Sequence, residues 1–175
     1  MVLKEALLKE HSKRQTQAIA NYIGTNQGKF DELLHLFFFA EPLVGQRAAW
    51  VVSTCVETKK ELLQRHIKPF IHNLSKADLH DAVKRGSLKA LQEIVVPDPL
   101  LGSLVEICFG FLYGAKEAIA VKSLSIKILV KTCQQYPELM VELTPLLMAF
   151  LNHESPALVF TSKQGLASLK KITTH

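Results

Sequence analysis

Four stretches of this chain share one pattern, and their spacing restricts the fold more than any other feature. In "RHIKPFIHNL" (65–74) and "VELTPLLMAFL" (141–151), a proline is followed by a bulky apolar pair and a further apolar residue three positions on. "VEICFGFL" and "FDELLHLFF" repeat the pattern with Glu106 and Glu32 in the proline slot, so the anchors fall at 32, 69, 106 and 145, spaced by 37, 37 and 39. A second set of related stretches follows them: "VGQRAAWVVSTC", "DAVKRGSLKALQEI", "AVKSLSIKILVKT" and "FTSKQGLASLKKI". Self-similarity at this period marks stacked supersecondary units, each too small to bury its own apolar face.

Each unit reads as two helices. Apolar residues recur at spacings of three and four, with no sustained alternation of the kind a half-buried strand shows. Ser12 followed by Gln15 resembles a capping box, and Asp98-Pro99 and Ser155-Pro156 place an acceptor side chain before a first-turn proline. Glu41-Pro42 and Tyr136-Pro137 use the proline without the strong cap, while Gly24, Gly28 and Gly114 stand where helices should stop. Nine or ten helices and no sheet are predicted: an all-α fold.

The combination of Pro-x-x-apolar, a short polar connector and a small-residue-rich second helix opening on Val-Lys resembles the HEAT repeat. "IKPFIHNLSKADLHDAVKRGSLKALQEI" and "LTPLLMAFLNHESPALVFTSKQGLASLKKI" carry it most clearly; the other two copies lack the proline. The resemblance implies a short right-handed α-solenoid of about four helix pairs, A then B, in one domain over 1–175. Residues 1–26 form an N-terminal cap, followed by repeats over 27–57, 58–95, 96–135 and 136–175. Phe37, Val52, Ile71, Leu74, Leu91, Phe109, Leu129, Leu147 and Leu169 are the expected core, and Ala48, Ala49, Gly86, Ser87 and Gly165 let neighbouring B helices approach.

An apolar content of 48% over 175 residues excludes a disordered chain. Cys55, Cys108 and Cys133 are odd in number, widely separated and apolar-flanked, so reduced core residues are expected rather than disulfides or a metal site. The N-terminus lacks the apolar run of a signal peptide, and "LLHLFFFA" is too short to span a bilayer. A cytoplasmic protein without a membrane segment is expected.

Charge divides between the two helix sets. The five B-type segments, 12–24, 43–57, 80–95, 116–135 and 157–173, hold 13 Lys or Arg against 4 Asp or Glu, a balance of +9. The rest of the chain holds 8 basic and 12 acidic residues, and the total is +5. In HEAT-type solenoids the B helices line the concave side, so the resemblance implies a basic groove. Arg47, Arg85, Lys89, Lys127, Lys131 and Lys163 form the proposed stripe: Arg85 and Lys89 are one turn apart, as are Lys127 and Lys131, and Arg47, Arg85 and Lys163 fall at equivalent slots, with Ser123 in the fourth. Such a face either keeps an apolar protein in solution or receives an acidic protein segment or a nucleic-acid backbone.

Catalytic motifs are missing. The chain has no Gly-x-Ser-x-Gly, dinucleotide fingerprint or P-loop, and no pair of histidines at metal-binding spacing, so neither cofactor nor metal is expected. Three readings stand: a non-catalytic binding or scaffold module, a purely structural or oligomerising repeat protein, and a HEAT-like DNA glycosylase for alkylated bases. The last would use Trp50, the sole tryptophan, as its aromatic group, but the nearest B-helix carboxylate, Glu57, lies two turns away. The outward face of the last helix is open to self-association, although no oligomer is predicted; "KKITTH" reads as a polar cap there.

Overall fold

In the computed structural model, which describes residues 1–172, the strongest helix-start signals of the sequence are where helices begin. Ser12 Oγ accepts from the Gln15 amide at 3.1 Å and opens α2 (Lys13–Ile23), which stops at Gly24 in the left-handed region, φ 54°. The Gln15 side chain does not close the box; it donates to the Ala6 carbonyl at 2.7 Å and ties α2 to α1 (Leu3–Lys9). Pro42 is the first residue of α4 (Pro42–Thr58), and Pro156 that of α10 (Pro156–Ile172). Gly28 is a correction: it lies inside the first turn of α3 (Gln27–Phe39), because Asn26 caps that helix by accepting from the Lys29 amide at 3.0 Å.

Prolines also divide the A helices. Residues Lys60–His66 form a 3-10 segment, and α5 (Ile67–Leu74) starts only where Pro69 can occupy the first turn, in which a missing N–H costs no helical hydrogen bond. Pro137 likewise opens a 3-10 turn, Pro137–Leu139, and α9 (Met140–Phe150) follows. Pro145 sits inside α9, and the Val141 carbonyl that it cannot meet belongs to an exposed residue open to solvent. The remaining helices are α6 (Asp81–Gln92), α7 (Asp98–Tyr113) and α8 (Ile119–Cys133). Among the described residues there are ten α-helices and no strand.

The chain divides into two compact units, Met1–Leu100 and the residues from Leu101 onward, with the division in the first turn of α7. In the first unit, α4 packs between α2 and α6, and α3 and α5 pair with α4 and α6. The A side is joined by a stacked pair, Phe37 on Phe70, at 5.1 Å between ring centroids. Contact between α4 and α6 is so close that a Cβ on Gly86 would lie 2.6 Å from the Ala49 carbonyl oxygen. His66 Nε2 meets Asp31 Oδ1 at 2.7 Å, linking the 3-10 segment to α3; Gln27 and then His66 hold the Asp31 carboxyl below its usual range.

In the second unit, α10 packs on both α8 and α9. A Cβ on Gly165 would press on Leu147 at 2.8 Å and on Ile126 at 3.3 Å, so here too a glycine sets the interhelical distance. All nine expected core residues are buried. Phe39 is 74% exposed at the C-terminal end of α3.

Candidate functional site

Helical periodicity decides which B-helix side chains reach solvent. On α4 the inward positions are Val44, Ala48, Val51, Val52, Cys55 and Val56, which leaves Leu43, Arg47, Trp50, Thr54 and Glu57 on the opposite stripe. On α6 the corresponding stripe is Asp81, Arg85, Lys89 and Gln92. The two stripes meet in an ion pair between Lys89 and Glu57.

The predicted cations of the first unit are thus largely engaged. Arg47 is half-buried, and its Nη1 donates to the Leu7 carbonyl at 2.8 Å, near the C-terminal end of α1. Lys89 is paired with Glu57, and Lys60 approaches Glu93 at 3.9 Å. Arg85 is exposed with no ion pair among the described residues. Trp50 is half-buried, its indole meeting His11 edge-on at 5.2 Å. The equivalence of Arg47, Arg85 and Lys163 in the repeat is therefore not an equivalence of role.

The second unit differs. Helix α8 buries Val121, Lys122, Ser125, Ile126, Ile128, Leu129, Thr132 and Cys133, and turns Ala120, Leu124, Lys127 and Lys131 outward as a single stripe. Lys122 is 6% exposed and not part of any basic surface: its Nζ donates to the Leu112 carbonyl at 3.1 Å and lies 5.3 Å from the centre of the Phe150 ring. Helix α10 exposes Lys163, Lys170 and Lys171. Neither α8 nor α10 contains an acidic residue, so five exposed lysines share two adjacent helices with no carboxylate on either. Lys127 and Lys163 have no ion pair among the described residues.

Sequence reasoning overlooked Phe160, which is 61% exposed on the lysine-bearing face of α10. Its signal was available: residues 160, 163, 164, 167 and 171 are spaced as one helix face, and all five are exposed. The "KKITTH" cap lies partly outside the described residues, at Thr173 and beyond.

Other groups offer little chemistry. An open cleft of about 330 Å³ is lined by Lys4, His35, Leu36, Phe39, Ala40 and Glu41, and its Lys4–Glu41 pair at 2.8 Å holds the glutamate below its usual range. Burial pushes the Cys55 and Cys108 thiols up to about 12 and Cys133 to about 11, so all three stay protonated near neutrality. Among the described residues no group of three His, Cys, Asp or Glu side chains is placed to hold a metal, and no helix is long and apolar enough to cross a membrane.

The stacked pairs just described agree with a family comparison: the model of the HEAT repeat domain matches residues 3–169. The chain belongs to the HEAT repeat family. No curated protein matches it. HEAT membership points to a module for protein interaction or scaffolding.

Proposed function

We propose that this HEAT repeat protein is a non-catalytic binding module that takes an acidic protein segment on the lysine-bearing face of α8 and α10. The observation that carries the reading is that Lys127 and Lys163 stand exposed in mid-helix, with no ion pair among the described residues, on two adjacent helices that contain no acidic residue. Like charges gathered on neighbouring helices repel, and a carboxylate-rich partner removes that repulsion on binding. Protein interaction is the general use of stacked helical repeats, which favours a peptide over a nucleic-acid backbone. The face of α4 and α6 is a weaker candidate, because Lys89 is paired with Glu57 and Arg47 is turned to the Leu7 carbonyl there.

A titration tests this. Labelled poly-glutamate, duplex DNA and single-stranded RNA are added at two salt concentrations to wild type, to Lys127→Glu with Lys163→Glu, and to Lys68→Glu with Lys76→Glu. The control pair consists of exposed lysines on and just after the A helix α5, both outside the proposed face. Wild type binds poly-glutamate, more weakly at the higher salt. The face reversals weaken binding about tenfold, since two lost or inverted contacts at roughly 0.7 kcal/mol each amount to one decade. Equal losses from both pairs would reduce the effect to net charge. Tighter binding of DNA or RNA than of poly-glutamate would replace the protein segment with a nucleic acid, and no binding of any probe would leave the lysines as a solubilising surface.

A further inference from the structure

The lysine face is not made of charge alone. On α10, Phe160 precedes Lys163 by three residues and Lys171 by eleven, on one exposed face. On α8, half-buried Leu124 precedes Lys127 by three and Lys131 by seven. Both helices thus carry an apolar side chain followed by lysines. The favourable field at a helix C-terminus accounts for Lys131, Lys170 and Lys171, which lie in the last turns. It does not account for Lys127 or Lys163, which are mid-helix, nor for a phenyl ring left in water.

We infer that the face recognises acidic segments that also present one large apolar side chain, with Phe160 as the contact for that side chain and Lys127 and Lys163 as the first carboxylate contacts. The inference rests on the function proposed above and adds to it a requirement that poly-glutamate does not meet. At a rise of 1.5 Å per residue, Phe160 and Lys163 lie about 5 Å apart along α10, the length of one to two residues of extended chain. The matching ligand therefore has an apolar residue closely followed by carboxylates. Among the described residues of α8 and α10, Phe160 is the only exposed large apolar side chain. A single ring suits one peptide side chain; a lipid leaflet needs a broad apolar face, and single-stranded nucleic acid uses successive aromatic platforms.

Two labelled peptides decide the matter. One has a phenylalanine followed by five residues rich in glutamate, and the other is identical with serine in place of phenylalanine. Each is titrated against the full chain, Phe160→Ser, Phe160→Leu, and Lys127→Glu with Lys163→Glu, with thermal melts of all variants. The phenylalanine peptide is expected to bind about fivefold more tightly than the serine peptide, an advantage lost in Phe160→Ser and kept in Phe160→Leu. Equal affinity of the two peptides, both weakened by the lysine reversals, would overturn the role of Phe160 and leave the acidic-segment reading standing. Insensitivity of both peptides to the lysine reversals would overturn the two together. So would tighter binding of phosphatidylserine-containing vesicles than of either peptide, since the ring would then be a lipid contact.

Discussion

Burial dominates the chemistry of the three cysteines. The ordinary thiol value is 9.0, and desolvation in the folded protein moves Cys55 and Cys108 to about 12 and Cys133 to about 11. A raised value means that the folded state holds its proton where the unfolded chain releases it. Stability is accordingly indifferent to these groups below pH 9 and declines as pH rises from there through the folded values. Two measurements check this: no thiol should react with Ellman's reagent at pH 8 until denaturant is added, and urea midpoints should fall between pH 9 and 11. In a Cys55→Ala, Cys108→Ala, Cys133→Ala variant the alkaline fall should be reduced. Their burial was legible from apolar flanks. The engagement of Arg47, Lys89 and Lys122 was not, because the Leu7 carbonyl and Glu57 lie far along the chain, and Lys122 reaches a carbonyl of the preceding helix.

At the scale of an element, the same substitution should have opposite signs at two glycines. Gly102 lies within α7, and a Cβ there would meet nothing within 4 Å, so Gly102→Ala gains about 0.5–1 kcal/mol from helix propensity. Gly86→Ala gains the same propensity but drives its methyl to 2.6 Å from the Ala49 carbonyl, and that neighbour is backbone, which cannot swing aside. Overpacking costs about 1–3 kcal/mol, so the net change is a loss. Urea unfolding of the two variants reads the difference; a stabilised Gly86→Ala would mean that α4 and α6 are not held at this distance. Small residues in the B helices announced a close approach. Which glycine carries it depends on the register between two helices that the repeat alone does not give.

At the scale of the molecule, stacked repeats make stability local, each helix pair depending on its neighbours. Leu91, buried on α6, should lose about 2–5 kcal/mol on Leu91→Ala. Amide hydrogen exchange should report the loss chiefly within Met1–Leu100, with a smaller change in the residues from Leu101 onward. Uniform acceleration over the whole chain would show that the two units open together. The sequence by itself determined the helical class, the repeat anchors, the buried positions and the excess of positive charge on the B helices, since all of these follow from spacings of a few residues and from composition. Only the tertiary structure decided where that charge stays available. Contacts between residues distant in the chain pair Lys89 with Glu57, turn Arg47 to the end of α1 and bury Lys122, while Lys127 on α8 and Lys163 on α10 stay in solvent, the latter one turn from Phe160. A helical period specifies which face a side chain shares, but the partner that neutralises it is set by the packing of one repeat on the next.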